Sequence, residues 1–499
     1  MVLSATTTPP EAAAAGATIP AATATSYEHH SVIVVGAGPT GLFLALKLAR
    51  EGIDVLVLEA ADEIPQSPRA TTSVNPPSPL PALGRTGKVA DRMGRYVPIV
   101  LHEFEKVGLY DAVAAAGHLN GEGIVFRTPH ARSNEVLATV NMAPMPRTIS
   151  RRARADIHLG QHQLAAVILD HALRLPSFAV AWGRCFAGCR EVEVEVEGGA
   201  RTARVELVAA GPSGERWYTA DFLVGADGAG SAVRKALCIP FEGFTWPDRF
   251  VASNVYYNFE RYPGYSTANL VVDPADWAVI ARTGKPDEGL WRVAFGVSEA
   301  DSAAMDDPAR LAQVVRDKYE TLLPGPRPLQ YTLQSANPYW AHQRVARHFR
   351  RGRTVLCGDA AHVSPPPPSP RPHRPAAVLL TVSARQSNNP IGGLGLTTSL
   401  LDAAALGNCL VRILTRGGAE AADALLSRYA QARRHAFVEY TNATSIANKL
   451  RLQSDHPEEV CKRKAFFARL NGDPDFLREL ANHMSEALRG DFEAEAPSS

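Results

Sequence analysis

The stretch Ser31 to Glu59, SVIVVGAGPTGLFLALKLAREGIDVLVLE, constrains this chain more than any other. Val32 to Val35 form an apolar run suited to a buried parallel strand. Gly36, Gly38 and Gly41 then give a G-x-G-x-x-G turn, and an apolar helix-forming segment runs on to Glu51. Gly52 stands where a helix C-cap glycine belongs, and Asp54 to Leu58 supply a second strand. The pattern predicts a βαβ dinucleotide-binding unit. Its glycines serve a tight turn, close backbone approach to a pyrophosphate and close helix–strand contact. The phosphates belong at the helix N-terminus, where free N–H groups and the dipole favour negative charge. Glu59 ends the second strand, where an acid can bind a ribose hydroxyl. The expected ligand is FAD or NAD.

Two later motifs narrow the choice. In DFLVGADGAGSAVRKAL, residues 221–237, Phe222 to Val224 are strand-like, Asp227-Gly228 makes a turn, and Ser231 can cap a helix. In RTVLCGDAAH, residues 353–362, Thr354 to Cys357 read as a buried strand ending at Gly358-Asp359. An acid at such a strand end can accept hydrogen bonds from polyol hydroxyls, while glycine lets backbone approach.

With these three motifs in this order, the chain resembles the single-component FAD-dependent monooxygenases with the para-hydroxybenzoate hydroxylase fold. That family carries G-x-G-x-x-G, then A-D-G-x-x-S-x-V-R, then G-D-A-A-H. Here they are Gly36/Gly38/Gly41, then Ala226-Asp227-Gly228 with Ser231, Val233 and Arg234, then Gly358 to His362. The resemblance runs from about Ser31 to about Arg434. It implies an α/β fold: a Rossmann-like FAD-binding domain, a mainly β substrate-binding domain and C-terminal helices. The FAD-binding domain is expected over 31–240 and 342–450, the substrate-binding sheet over 241–341, and a helical, charged tail over 451–499.

The resemblance also assigns residues. Glu59 would bind the adenosine ribose, Arg69 would lie near the pyrophosphate, and Gln161 matches an FAD contact. Asp227 and Gly228, with Arg234 in the same motif, would support flavin and nicotinamide binding, and Asp359 would hold the ribityl chain. Pro390, Gly392, Gly393 and Gly395 match the loop beside the isoalloxazine ring. Thr397 and Thr398 can cap the following helix, whose positive end would stabilise anionic reduced flavin. The implied reaction uses NADPH or NADH and O2 to hydroxylate or epoxidise a small phenolic or polyketide-derived substrate through a flavin hydroperoxide. No side chain is assigned as catalytic base; His342 and His362 are the candidates. The alternatives are a flavin oxidase or reductase of the same fold, or a flavin-binding but inactive protein.

Within the substrate-binding stretch, strand-like runs recur at Val255 to Phe259, Asn269 to Val272, Trp277 to Ala281 and Leu290 to Val297. Tyr256, Phe259, Trp277 and Trp291 are candidates to line a pocket. One full G-x-G-x-x-G argues against reductases and Baeyer–Villiger-type enzymes with two dinucleotide domains. The W-x-W-x-I-P motif of flavin halogenases does not occur.

Two segments depart from the family pattern. Val363 to Gln386, 24 residues rich in Pro and Arg, part the GD motif from the flavin-ring loop. Deleting them gives GDAAHSNNPIGGLGLTT. Removing Ser73 to Arg95, 23 residues, likewise gives PRATTYVPIVLHEFEKVGL. The ends of both can be encoded as splice-donor and acceptor sequences. Residues 73–95 and 363–386 are therefore read as translated introns, leaving a functional chain of 452 residues; the alternative is that both are genuine surface loops, where insertion costs little entropy. Loops this long without structure are uncommon in compact domains.

Composition sets the remaining bounds. With 52 basic and 51 acidic residues, net charge +1, nothing favours nucleic acid. Six scattered cysteines offer neither a disulfide framework nor a zinc-binding pair, so no metal is expected. Residues 1–30, rich in Ala, Thr and Pro, read as a disordered tail rather than a targeting peptide. No run of about 18 apolar residues predicts a transmembrane helix. The expected location is cytoplasmic and the expected partners are the small substrate and O2; oligomeric state and the choice between NADH and NADPH are not encoded in any motif.

Overall fold

In the computed structural model, residues 27–64, 93–140, 155–195, 201–283, 286–362, 391–417 and 419–489 are described, with Arg152 and Gly199. Arg69, Pro390, residues 1–26 and nearly all of the two proposed insertions lie outside this set.

Five parallel strands form the centre of an eight-stranded sheet, in the order Thr354–Leu356, Gly214–Gly225, Glu28–Val35, Val55–Leu58 and Phe178–Ala181. Strand alternation explains the continuous apolar run at its heart. Val32 and Val34 enter the core shared with the helices Pro39–Arg50, Gln161–Ala172 and Leu394–Arg416, whereas Ile33 and Val35 enter a second core. Both faces are covered, so both parities must be apolar. The long antiparallel strands Cys185–Glu195 and Arg201–Gly211 extend the sheet from Gly214–Gly225. The first strand begins at Glu28, inside the stretch expected to be a tail.

A seven-stranded sheet stands beside it, in the order Thr332–Ala346, Phe241–Tyr256, Leu290–Gly296, Ala278–Arg282, Ala268–Val271, Ile124–Arg127 and Val136–Val140. Two of its strands therefore come from residues 124–140, before the expected 241–341 stretch. They join through a parallel pairing of Ile124–Arg127 with Ala268–Val271, a contact between distant segments that local periodicity does not record. One face packs under the helix Pro308–Leu322; Val251, Val255, Phe259 and Trp291 lie there. The other packs Phe250, Trp277 and Ala341 against Ile391 and the C-terminal helices Pro457–Gly472 and Phe476–Arg489.

A third sheet has three antiparallel strands, Met93–Tyr96, Asp156–Gly160 and His118–Asn120. Met93, Gly94 and Arg95 thus form a paired strand, although they fall at the end of the first proposed insertion.

Among the described helices, only Leu394–Arg416 is long and apolar enough to cross a membrane, and 83% of its most apolar window is buried within the protein. All six cysteines are free.

Tyr319, fully buried on the Pro308–Leu322 helix, donates to Ser253 Oγ at 2.7 Å, and Ser253 donates to the Val293 carbonyl. Tyr319→Phe removes one buried hydrogen bond and leaves Ser253 partnered. It should lower unfolding free energy by about 1 kcal/mol in urea titrations, with flavin content unchanged.

Candidate functional site

The three motifs meet at the C-terminal ends of three adjacent parallel strands. Val35 pairs with Gly225, and Gly225 with Leu356. The turns that follow are the glycine-rich turn, the DG turn and the GD turn, so the register alone brings them together.

Their contact depends on missing side chains. Gly36 has φ of +111°, and a Cβ there would lie 2.5 Å from the Ala226 carbonyl oxygen. A Cβ on Gly41 would lie 2.1 Å from the Gly36 oxygen, and one on Gly358 2.9 Å from Thr40 Cγ2. These glycines are explained by the protein's own packing. Gly228 is required by its φ of +75°, whereas Gly38 has an ordinary φ and a Cβ there would meet nothing within 4 Å. Free space beside Gly38 adjoins the start of the Pro39–Arg50 helix. That helix has no side-chain cap and no acid in its first turn, which is the arrangement an anionic pyrophosphate requires.

Glu59 stands at this turn, its carboxylate accepting from the backbone N–H groups of Ala37 at 2.8 Å and Ala61 at 2.9 Å. It is held in place while keeping lone pairs for a ribose hydroxyl. Asp227 accepts from Ala232 N at 2.6 Å and Val233 N at 3.1 Å, while its Oδ1 is buried without a partner. Burial raises its pKa, against the hydrogen bonds from Ser231 and the backbone. Arg234, buried in the short helix Ala232–Ala236, donates to the carbonyls of Ala360 at 2.9 Å and Ala229 at 3.1 Å, and stacks on Phe241. Burial lowers its pKa to about 10, so it stays charged at neutral pH. Arg234 thus joins the DG and GD turns through their backbones. Asp359 receives a hydrogen bond from Ser399 at 3.3 Å. Gln161 opens its helix directly after the Asp156–Gly160 strand.

The ring-loop glycines are also accounted for. Gly392 has φ of +104° beside Asn448, and Gly393 has φ of +67° beside Arg95. The helix begins at Leu394 with Gly393 as its N-cap, and Gly395 is buried in the first turn. Thr397 and Thr398 do not cap it. Their hydroxyls donate back to the carbonyls of Gly393 and Leu394, because the N-cap is Gly393, four residues before Thr397. The N-terminal N–H groups are consequently left without a side-chain cap, which keeps the positive end open to an anionic group.

His342 and His362, the two histidine candidates, are both buried. His342 hydrogen-bonds Thr245 Oγ1 at 2.6 Å; burial and then the Arg344 charge lower its pKa to about 4. It alternates with Ala341 and Gln343, which turn towards Ile391 and Ser445 respectively, so its side chain leaves the opposite face of the sheet. His362 is wholly enclosed, bonded through Nε2 to Asp402 and stacked on Phe437. Asp402 also accepts from Gly358 N at 3.2 Å and Arg433 Nε at 2.7 Å. Burial works against its charge, but His362 and Arg433 outweigh that and hold its pKa low. This network anchors the GD turn to two helices. Asp402 could have been noticed as the one charge in the apolar run LLDAAAL.

The aromatic candidates divide by face. Trp277 lies in the cluster with Ile391, Phe259 and Trp291 lie under the Pro308–Leu322 helix, and Tyr256 is exposed. Among the described residues no group of His, Cys, Asp and Glu could hold a metal ion.

Comparison with known proteins agrees with this geometry. A family model described as "FAD binding domain" matches residues 29–76 and 99–368. A para-nitrophenol 4-monooxygenase of Pseudomonas sp. (strain WBC-3) is 34% identical over 450 residues, covering 90% of this chain and 94% of the relative. A 6-hydroxy-3-succinoylpyridine 3-monooxygenase of Pseudomonas putida is 30% identical over 433 residues, covering 86% and 90%. The crystal structure of p-nitrophenol 4-monooxygenase from Pseudomonas putida DLL-E4 superposes with a TM-score of 0.71 at 29% identity, over 93% of this chain and 99% of that one.

Gly38→Val separates ligand binding from folding. Its backbone, at φ −72° and ψ 170°, suits valine, and no protein atom is in the way. The variant should keep the thermal stability of the flavin-free chain and lose flavin from its visible spectrum. Gly41→Val should unfold instead.

Proposed function

Because this chain belongs to the FAD-binding-domain family of flavoprotein monooxygenases, we propose that it hydroxylates a small phenolic ring using NADPH or NADH as reductant. The observation that supports the reading is the open helix N-terminus at Gly38, without a side-chain cap or an acid in its first turn, beside the point where all three motif turns meet. The monooxygenases at 34% and 30% identity, whose names specify a nitrophenol and a hydroxypyridine, support a substrate with an ionisable ring hydroxyl.

The residues have distinct tasks. The uncapped helix end at Gly38 would hold the pyrophosphate, Glu59 the adenosine ribose and Asp359 the ribityl chain. Gly392 and Gly393, both at positive φ, would turn the ring loop into the Leu394–Arg416 helix, whose N-terminus would favour negative charge on the isoalloxazine ring. When bound, FAD supplies the redox chemistry of oxygen activation, which no amino-acid side chain provides. The Phe250, Trp277 and Ile391 cluster would keep water from the ring.

Purified protein with FAD should oxidise NADPH or NADH faster when 4-nitrophenol or another simple phenol is added, yielding a product that carries one oxygen atom from 18O2 by mass spectrometry, either replacing a ring hydrogen or, at position 4 of 4-nitrophenol, replacing the nitro group released as nitrite. Oxidation that yields only hydrogen peroxide across the panel would favour an oxidase and overturn the reading.

We further propose that residues 73–95 and 363–386 are translated introns. The family match is interrupted over residues 77–98, which takes in most of the first segment, and it ends at residue 368, inside the second. The second separates the GD turn from the ring loop, whose described ends both lie against the Leu394–Arg416 helix, and this favours an impaired 499-residue form. In the 452-residue chain, Thr72 would take the place of Arg95 before Tyr96, exchanging an ion pair to Asp156 for a hydroxyl. Sequencing the mature transcript should reveal the shorter form; reads continuous through both segments, with no shorter species, would exclude it.

A further inference from the structure

The three-stranded sheet has two unlike faces. Tyr96, Ile157 and Leu159 enter the helix-side hydrophobic core. The alternate positions carry Arg95, Asp156, His158, His118 and Asn120. Arg95 pairs with His158 on one side and His118 pairs with it on the other, so all three project from the same face. That face meets the seven-stranded sheet: Thr267 donates to Asn120 and to Glu122, and the charge of Arg282 reaches both His118 and His158. It also meets the ring loop, through Arg95 Nη1 donating to the Gly392 carbonyl at 3.1 Å.

Polar atoms here lack partners. His158 is 1% exposed, and neither ring nitrogen makes a hydrogen bond; the Arg282 backbone lies nearby without meeting hydrogen-bond geometry. Asp156 Oδ1 and Arg282 Nε are likewise buried and unpartnered. Arg95 and Glu260 occupy other atoms of these same two groups. Native interiors rarely leave such atoms unsatisfied unless something else comes to them.

We infer that this polar face of the sheet receives the ring hydroxyl of the substrate as its anion, with His158 donating an N–H to the phenolate oxygen and Arg282 supplying positive charge. The inference rests on the phenolic reading above and names the contact that makes it specific. Burial, then the charges of Arg95 and His118, depress the His158 pKa to about 3. The ring is therefore neutral across the pH range in which phenols ionise, with one N–H to give. Hydrogen bonding to the ionised form and a nearby cation both lower the pKa of the bound phenol. No proton need be held by the protein: the hydroxyl proton leaves to solvent and the anion stays. His158, Asp156 and Arg282 all belong to the 452-residue chain as well.

The test is a pH titration of 4-nitrophenol bound to the FAD-loaded full chain without NAD(P)H, reading the phenolate absorption. In the unsubstituted protein the bound probe should ionise at least one pH unit below the free probe. His158→Ala should remove most of that shift and weaken phenolate binding about tenfold. His158→Asn, which retains an N–H donor, should restore part of it. Flavin content of each variant reports folding. An unchanged shift in His158→Ala with flavin retained would overturn the role of His158 and leave the phenolic reading standing. Failure of the flavin-loaded, unsubstituted protein to bind any simple phenol would instead overturn both.

Discussion

The structure depends on close packing against glycine backbone at the ends of three parallel strands. Gly36 against Ala226, Gly41 against Gly36 and Gly358 against Thr40 leave no room for a Cβ. These contacts set the spacing of the helix end, the DG turn and the GD turn, and hence the shape of the space beside Gly38. Side chains reinforce what the glycines permit. Arg234 spans two of the turns, and Asp402 ties the third to helices far along the chain.

The Asp402 network carries a cost if disturbed. Its carboxylate, His362 and Arg433 are all enclosed, and Arg433 also donates to the carbonyls of Leu488 and Arg489 near the end of the last helix. Leaving one member of such a group buried without its partner typically costs about 3–5 kcal/mol. The GD turn is thereby coupled to the C-terminal helices, and His362 acts by holding that turn rather than by touching substrate. A π-helical turn, Ala436–Asn442, lets Phe437 stack on His362 while Thr441 bonds Thr398 at 2.8 Å.

Much of this was legible from local pattern. Apolar runs ending in glycine turns marked all three central strands, Gly52 ended its helix with φ of +75°, and Ser231 capped the helix after the DG turn. What escaped the sequence was long-range. Pairing of Ile124–Arg127 with Ala268–Val271 joins residues more than 140 positions apart. Trp291 alternates as expected along its strand, yet alternation does not say which sheet face meets the ring loop, and the expected run to Phe259 stops at Tyr256, with Phe259 opening a 3-10 turn. Thr397 and Thr398 looked like caps because the helix start was placed by residue type, whereas Gly393 at positive φ begins it earlier. His158 gave no signal beyond strand alternation, since its meaning lies in the two sheets that enclose it.

The central claim is that these converging turns form an FAD site. The visible absorption spectrum of the purified protein, with the flavin released and counted per chain, tests it most directly. The account predicts one FAD per folded chain in the 452-residue form, and in the 499-residue form wherever the two additional segments leave the described turns in place. A folded 452-residue chain that remains colourless when supplied with excess FAD would contradict it.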